Sequence, residues 1–327
     1  MRRANARWTL FMVMVAPKFG PGVPERKANI MQPSSVPRLF CFGLGFSPLA
    51  FVDLVGPEGW QIAGTTRGPE KAERLRAKGI DTFLFDRGRA LDDAARALAG
   101  TTHLLTAVPP DADGDPVLDH HAGDISALMP GLQWVGYLST TGVYGDHGGA
   151  WVNEATPLQP TGRRQKQRAA AEEAWLALWR ECGVPVHLFR LAGIYGPGRS
   201  AIDAVRSGTA RRIDKPGQVF SRIHVEDIAR VLRASVDRPN PGAAYNLCDD
   251  NPAPGHEVTA YACELLGVEP PPLVPFEQAD LSPMAASFYA DNKKVRNHRI
   301  KAELEVILKY PDYRQALRDL LDREGSR

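Results

Sequence analysis

Hydrophobic and polar positions alternate in blocks along this chain, so that short apolar runs are separated by longer amphipathic stretches. From Arg38 onward, the apolar runs predict strands at residues 39–42, 61–65, 81–85, 103–107, 134–138 and 186–190. The stretches between them predict helices at residues 69–78, 91–98, 115–128 and 167–181. Strands that alternate with helices in this way are typical of a parallel sheet covered by helices on both faces. The pattern therefore predicts an α/β fold built on a doubly wound parallel sheet.

The longest predicted helix, at residues 167–181, carries its apolar residues on one stripe. The members of that stripe are Ala171, Ala174, Trp175, Leu178 and Cys182, which recur at helical spacing. An aromatic residue on such a stripe packs in a core more often than it contacts a ligand. We therefore expect Trp175 to be a core residue.

After residue 191 the regular alternation breaks. Turn-rich segments are interspersed with predicted strands near 222–225 and 244–248, helices at 226–236 and 256–266, and a proline-rich loop at 269–275. In open α/β sheets such a region lies over the carboxyl ends of the strands, where ligands bind. The chain is accordingly predicted to have three parts: a disordered extension at residues 1–36, the main domain at 37–190 and a smaller lobe at 191–327.

Composition narrows the class of protein. The 327 residues include 40 basic and 38 acidic side chains, a formal net charge of +2 without a basic block, which argues against a nucleic-acid partner. The four cysteines, Cys41, Cys182, Cys248 and Cys263, are widely spaced, which fits neither a disulfide framework nor a zinc site. No apolar run reaches the roughly 18 residues of a membrane-spanning helix. These features favour a cytoplasmic protein that uses neither a membrane nor a metal.

The first sixteen residues resemble a secretory signal. Three arginines precede an apolar stretch that is only about nine residues long, and a small-residue cleavage site does not follow cleanly. An export signal is one interpretation, and an unstructured extension is the one we favour. Translation from Met31 rather than Met1 is an alternative, because Met31 lies just before the first strand.

A glycine-rich turn follows the first predicted strand. Gly43 and Gly45 occupy the first two positions of the GxGxxG dinucleotide fingerprint, in which the backbone approaches a pyrophosphate at the start of a helix. Pro48 replaces the third glycine; it suits the first turn of a helix but lacks an N–H. We therefore expect the N–H groups of Phe46 and Ser47 to contact the phosphates, and the turn to bind a nicotinamide dinucleotide.

The residues that end the second strand distinguish the two nicotinamide cofactors. An acidic residue there binds the ribose 2′-hydroxyl of NAD(H), but this chain has Thr66 and Arg67 instead. Arginine can pair with a 2′-phosphate, so we predict that NADP(H) is preferred over NAD(H). Val108, after the fourth strand, is also assigned to the cofactor site. Asp86, which ends the third strand, either accepts from the adenine amino group or lies at a helix N-cap or in a solvated turn.

Four ordered motifs resemble the extended short-chain dehydrogenase/reductases, the NAD(P)-dependent epimerase/dehydratase group. They are Gly43-Leu-Gly45, Ser139-Thr-Thr-Gly-Val-Tyr-Gly145, Arg190-Leu-Ala-Gly-Ile-Tyr-Gly-Pro-Gly198 and Arg222-Ile-His-Val-Glu-Asp227. The resemblance covers residues 38–247. The tail, with Asp291-Asn-Lys-Lys-Val-Arg-Asn at its start and Tyr310-Pro-Asp-Tyr313 further on, resembles atypical bacterial members. The resemblance to this family implies a Rossmann-type NAD(P)-binding domain at residues 37–190 and a substrate-binding lobe at 191–327.

The resemblance also implies a catalytic set that this chain keeps only in part. Active relatives use a Ser/Thr that binds the substrate oxygen, a Tyr acid/base, and a Lys four residues later that lowers the pKa of the Tyr. The cation matters because a phenol with a pKa of about 10 is a poor base at pH 7. Here Thr140 stands in the Ser/Thr place, Thr161 in the Tyr place and Gln165 in the Lys place. Neither Thr161 nor Gln165 can perform that proton transfer.

Three alternatives follow from this departure. Arg164 or Lys166 supplies the cation, with Tyr144, Tyr195 or His224 as the proton donor. Alternatively, the protein binds NADP(H) without turnover, or it transfers hydride to a substrate that needs no strong acid.

We assign the catalytic site to Thr140, Tyr144 and His224. The leading function is that of an oxidoreductase or epimerase/dehydratase-type enzyme acting on a small polar molecule such as a sugar derivative. The alternative is a non-catalytic NADP(H)-binding regulator or assembly factor. A homodimer is also consistent with the resemblance.

Overall fold

Strands and helices alternate through residues 36–325, which are the residues that this computed structural model describes. The strands are β1 Arg38–Phe42, β2 Gln61–Thr66, β3 Asp81–Leu84, β4 His103–Thr106, β5 Trp134–Thr140, β6 Trp151–Val152, β7 Val186–Leu191, β8 Gly193–Tyr195, β9 Arg212–Asp214, β10 Arg222–His224, β11 Ala244–Leu247, β12 Leu273–Pro275 and β13 Lys294–Val295. The helices are α1 Phe46–Val55, α2 Pro69–Arg76, α3 Ala94–Leu98, α4 Pro116–Ala127, α5 Arg163–Cys182, α6 Ala201–Arg206, α7 Val225–Asp237, α8 Gly255–Leu266, α9 Pro283–Tyr289, α10 His298–Glu303 and α11 Tyr313–Gly325. Short 3-10 turns occupy Gly56–Glu58, Thr141–Tyr144 and Phe276–Gln278. The predicted strands and helices are confirmed, with ends that differ by a few residues; the predicted extension lies, except for Val36, outside the described residues.

The central sheet has a doubly wound order. Among the described residues its seven strands run β11-β7-β5-β4-β1-β2-β3, and every pairing is parallel. The strand order reverses between β1 and β4, and open α/β sheets bind ligands in the crevice at such a reversal. The predicted α/β class with a doubly wound parallel sheet is confirmed.

Both faces of the sheet are buried, as a parallel sheet requires. Alternate residues of β1 point to opposite sides: Leu39 and Cys41 pack with α1 and α7, whereas Phe40 and Phe42 pack with α4 and α5. All four of these side chains are fully buried. The strand ends that carry the candidate site therefore rest on a rigid two-sided core.

The predicted boundary at residue 190 does not divide the sheet from the lobe. Strand β11 pairs with β7 at the edge of the central sheet, and α7 packs against α1 on one of its faces. Residues 36–325 also lie within one compact unit. The lobe is thus an insertion-like set of elements around α6, α8 and α11, whose shared core includes Ile202, Ala262 and Leu317.

The apolar stripe predicted on the long helix is only partly correct. Ala171 and Trp175 are buried, and Leu178 packs beside them, as predicted. Ala174 and Cys182 are exposed instead, because the buried face of α5 turns toward Glu172, whose carboxylate pairs inside the protein. No helix within residues 36–325 has the length and apolar character needed to span a membrane.

Candidate cofactor and active site

The turn after β1 has the geometry of a dinucleotide-binding loop. Gly43 adopts a φ of +86°, which favours glycine, and Gly45 N donates to Gly43 O at 2.7 Å. Thr65 of β2 holds the turn in place, because its hydroxyl accepts from Gly43 N at 2.8 Å. A Cβ on Gly45 would meet only Gly43 O, at 4.0 Å, so space is open in front of this glycine.

Helix α1 begins directly after this turn and leaves its first N–H groups available. Its N-cap is Gly45, and no side chain caps the helix. The N–H groups of Phe46 and Ser47 occupy the first two helical positions, which lack intrahelical acceptors. Pro48 follows in the first turn, where its missing N–H costs nothing. Together with the helix dipole, these groups fit a bound pyrophosphate.

The loop after β4 faces this turn across the reversal of the sheet. A Cβ on Gly43 would lie 3.4 Å from Val108 Cγ2 and 3.6 Å from Val108 N. A larger residue at position 43 would therefore press against Val108. This close approach fits the cradle in which a Rossmann-type domain holds a dinucleotide.

Positive charge surrounds the end of β2. Arg67 is exposed, and Arg89 donates to its backbone carbonyl at 2.9 Å. Lys71 and Arg74 lie on α2, which begins just after Arg67. Burial lowers the pKa of Lys71, and the charges of Arg74 and Arg67 lower it further. Thr66, just before Arg67, is nearly buried. The arrangement fits an anionic group bound beside β2.

Asp86, which follows β3, is already engaged within a turn. Its Oδ2 accepts from Arg89 at 2.8 Å and its Oδ1 accepts from Gly88 N at 3.0 Å. The structure therefore shows the turn-stabilising role for Asp86, and the adenine contact stays a prediction. Arg89 also has a buried Nε without a hydrogen-bond partner.

Thr140 ends β5 and lies beside the start of the long helix. Its hydroxyl accepts from Gly142 N at 3.1 Å. A Cβ on Gly142 would lie 3.3 Å from Thr140 Oγ1 and 3.4 Å from Gln165 Cγ. The Ser/Thr and Lys places of the family pattern are thus neighbours in this chain.

The residues in the Tyr and Lys places share one carboxylate. The Thr161 hydroxyl lies 2.9 Å from Asp291 Oδ1, and Gln165 Nε2 donates to Asp291 Oδ2 at 2.6 Å. Gln165 Oε1 also accepts from the N–H of Thr161 at 3.0 Å and from that of Gly162 at 2.8 Å. Both side chains therefore serve to position Asp291, which is only 9% exposed.

A lysine lies next to this carboxylate. Lys293 Nζ is 3.6 Å from Asp291 Oδ2 and donates to Gly145 O at 2.7 Å. Burial lowers the pKa of Lys293, while the charge of Asp291 opposes that shift. The site thus holds an ammonium group, but Lys293 supplies it. Arg164 and Lys166, the cations considered from the sequence, are exposed on α5.

Tyr144 lies in the interior and not at the cleft. It is fully buried, and its hydroxyl donates to Asn246 Oδ1 at 2.7 Å and accepts from Arg190 at 3.0 Å. Burial raises the pKa of Tyr144. Arg190 in turn pairs with buried Glu172 at 2.8 Å. Tyr144 therefore joins β5, β7 and β11 in the interior, and its role as a proton donor stays a prediction.

His224 is likewise buried, at the start of α7. Its Nδ1 accepts from Glu226 N at 3.2 Å, so it caps the helix, and its Nε2 has no partner. Burial lowers the pKa of His224 to about 4, so the ring is neutral at pH 7. The rings of Tyr195 and Tyr310 enclose it, at centroid distances of 5.2 and 4.3 Å. The predicted acid/base role of His224 is therefore not supported.

Sequence reasoning missed Asp291, Lys293 and Arg89. The first two belong to the tail motif, which was noted only as a family resemblance. Their signal was an acid and a lysine close together within a polar segment. The partners of Asp291 at positions 161 and 165 are 130 and 126 residues away along the chain. Chain spacing carries no information about such contacts.

Comparison with known proteins defines the class. The pattern of the NAD dependent epimerase/dehydratase family matches residues 89–248. Dissimilar members share the fold: dTDP-glucose 4,6-dehydratase of Bacillus anthracis, solved in complex with NAD, has a TM-score of 0.70 at 18% identity over 89% of this chain and 97% of that one. The chain is therefore similar to the NAD dependent epimerase/dehydratase family over residues 89–248.

Two further proteins are more similar to this chain. Protein YeeZ of Escherichia coli K12 is 28% identical over 240 residues, which are 70% of this chain and 84% of YeeZ. A conserved protein of unknown function from Silicibacter pomeroyi DSS is 52% identical, with a TM-score of 0.82 over 88% of this chain and 99% of that one.

Proposed function

We propose that this protein is an NADP(H)-dependent oxidoreductase of the epimerase/dehydratase type, acting on a small polar molecule such as a sugar derivative. The observation that carries the cofactor preference is the cluster of Arg67, Lys71 and Arg74 beside the end of β2. Asp86, the acid that follows the neighbouring strand β3, is paired with Arg89 and does not oppose a 2′-phosphate. The open turn at Gly45 and the uncapped start of α1 hold the pyrophosphate.

The chemistry of the proposed reaction is divided between the cofactor and three residues of this chain. When bound, the nicotinamide donates or accepts the hydride. Thr140, at the carboxyl end of β5, binds the reacting oxygen of the substrate. Lys293 and Asp291 hold the proton, in place of the phenol and ammonium of other family members. Thr161 and Gln165 keep the Asp291 carboxylate oriented.

A non-catalytic NADP(H)-binding regulator is the second candidate. It is favoured by the hydrogen bonds that tie Thr161 and Gln165 to Asp291, because neither residue is free to act on a substrate. The cytoplasmic location and the homodimer expected from the sequence stay predictions.

Cofactor affinity tests the proposed preference. Arg67→Glu is expected to weaken NADPH binding more than tenfold and NADH binding far less, since a lost charge-assisted phosphate pair costs about 1.5–3 kcal/mol. The measurement is fluorescence titration with each cofactor. Arg96→Glu, an equal charge change at an exposed position on α3, is the control. An equal loss for both cofactors would exclude Arg67 as the 2′-phosphate ligand.

Turnover separates the two candidate functions. NADPH oxidation is measured with a panel of sugar-derived carbonyl compounds for the wild-type protein, Lys293→Met and Lys294→Met. An enzyme that uses Lys293 loses activity only in the first variant. Lys294 is the matched control because its ammonium lies over the exposed ring of Trp151, 5.9 Å from the centroid. Tight NADPH binding without oxidation of any compound would favour the regulator.

A further inference from the structure

A second cavity lies outside the cofactor cradle and the residues assigned to catalysis. It has a volume of about 310 Å³ and lies among β8, β10, α6, α8 and α11. This volume is at the lower end of the range for small-molecule pockets. Val258 and Leu317 supply an apolar wall, and the polar residues that line it include Arg199, Arg222 and Tyr313. The cavity thus combines a polar end with room for a short carbon skeleton.

The polar end is positively charged. Two arginine side chains, Arg199 and Arg222, line it. Gly255, the first residue of α8, also lines it, and no side chain caps that twelve-residue helix. The N-terminus of a helix carries partial positive charge and free N–H groups. The two arginine side chains and the N-terminus of α8 all favour a bound anion.

Two buried phenols lack partners in the same place. Tyr195 and Tyr313 line the cavity, are 8% and 1% exposed, and each has a hydroxyl without a hydrogen-bond partner. A buried hydroxyl without a partner costs stability, so such groups usually have a ligand or ordered water. Burial raises the pKa of both, which keeps them neutral hydrogen-bond donors. They are therefore suited to oxygen atoms of an anion.

Acidic residues lie near this charge, since Asp249 and Glu257 both act on Arg222, but they are not part of the cavity wall. Within the described chain, no Asp or Glu lines the cavity. Asp203 nearby is occupied by the N–H and hydroxyl of Ser200. Asp249 is buried beside Arg222, and burial holds its pKa well above the usual range. Two arginines thus line the cavity without a carboxylate on its wall.

The cavity also adjoins the cofactor loop. The Arg199 guanidinium lies 5.8 Å from the ring centroid of Phe46, the first residue of α1. We propose that this cavity binds a small molecule through a phosphate or carboxylate group, held by Arg199, Arg222 and the hydroxyls of Tyr195 and Tyr313. This site is separate from the hydride-transfer residues, and its existence does not depend on the proposed reaction.

Calorimetric titration tests the site with inorganic phosphate and, separately, with acetate, each in the absence of NADPH and at saturating NADPH. At saturating NADPH, which occupies the phosphate loop, the wild-type protein is expected to bind one anion per chain, and the tighter of the two probes identifies the anionic group. Arg222→Met should raise the Kd at least tenfold and Tyr313→Phe about threefold. Arg318→Met, an exposed position on α11, should change it less than twofold.

Three results would overturn the proposal: no binding of either anion, binding that NADPH abolishes, or equal affinity in Arg222→Met and Arg318→Met. The second would place the anion in the cofactor loop. Arg222 also donates to the carbonyls of Phe220 and Ala253, so its variant is checked by circular dichroism. If it does not fold, Arg199→Met replaces it, because Arg199 is exposed, and the same tenfold criterion applies.

Discussion

The ion pair between Arg190 and Glu172 offers a stringent test of how the site is supported. Their side chains are 8% and 3% exposed and are joined by three hydrogen bonds of 2.8 to 3.2 Å. Burial alone would lower the pKa of Arg190, but the hydrogen bonds and charge of Glu172 raise it above its ordinary value. Arg190 also donates to Tyr144. The pair therefore connects α5 and β7 to the turn after Thr140.

The expected cost of breaking this pair follows from burial. Arg190→Met leaves the Glu172 carboxylate in the interior with the Ser139 hydroxyl as a remaining partner. Removal of one member of a buried ion pair costs about 3–5 kcal/mol, because the other charge is left uncompensated. Replacement of both charges, in Arg190→Met with Glu172→Leu, is expected to recover at least half of that loss.

Equilibrium unfolding in urea measures these free energies. Arg180→Met is the matched control: its partner Glu173 is also on α5, but the side chains are 46% and 67% exposed. That variant should lose less than about 1 kcal/mol. The reasoning fails if Arg190→Met also loses less than about 1 kcal/mol, or if the double variant is no more stable than Arg190→Met.

Two further substitutions test the buried histidine and the turn after Thr140. The pKa of His224 is about 4 in the folded protein and about 6.5 in an unfolded chain, so the unfolded state gains a proton as pH falls from 6.5 to 4. The stabilising contribution of His224 is therefore complete above pH 6.5 and is lost as the pH falls toward 4. His224→Asn keeps the N-cap acceptor and should remove about 3 kcal/mol of the acid-induced loss in the free energy of unfolding, measured in urea between pH 7 and 4. Equal pH profiles for the variant and the wild-type protein would show that His224 titrates normally. Gly145 has φ +74° and ψ −152°, a region that only glycine adopts readily, and a Cβ there would lie 1.8 Å from Gln159 O. Gly145→Ala should cost roughly 3 kcal/mol or more, whereas Gly148→Ala, with φ +54° and open space around it, should cost about 1–2 kcal/mol.

The central sheet was predictable because its signals are local. Each early strand is a short apolar run between helical stretches, and burial on both faces reproduces that pattern in β1. The domain boundary was not predictable in the same way. Strand β11 returns to the sheet after the lobe elements, and its pairing with β7 depends on contacts between distant segments.

The same distinction between local signals and contacts of distant segments applies to the candidate site. The turn at Gly43 and Gly45 and the basic residue after β2 could be predicted, because local backbone geometry and charge determine their roles. The interior positions of Tyr144 and His224 could not, since a motif does not show which way a ring points. Lys293 reaches Gly145 across 148 residues, so only the folded chain reveals it.

The Asp291 cluster leads to a last prediction, on restoring the usual phenol and ammonium. In Gln165→Lys the ammonium can replace the amide that donates to Asp291 Oδ2. The N–H groups of Thr161 and Gly162 lose the Gln165 acceptor, but both are exposed and can bond to water. Thr161→Tyr removes the hydroxyl beside Asp291 Oδ1, but position 161 is exposed and accepts a larger side chain. The double variant is therefore expected to fold and to retain NADPH binding.

The effect of this double variant on the reaction rate depends on the geometry at Thr140. Because Gln165 adjoins Thr140, a Tyr–Lys pair at positions 161 and 165 would lie beside the residue that we propose binds the substrate oxygen. A positioned acid contributes about 10²–10⁴-fold, so generic carbonyl reduction by NADPH should rise in the double variant and fall again when Thr140→Ala is added. Loss of NADPH binding or of folding would show that these positions do not face the cofactor cleft. A rate increase that survives Thr140→Ala would remove Thr140 from the site.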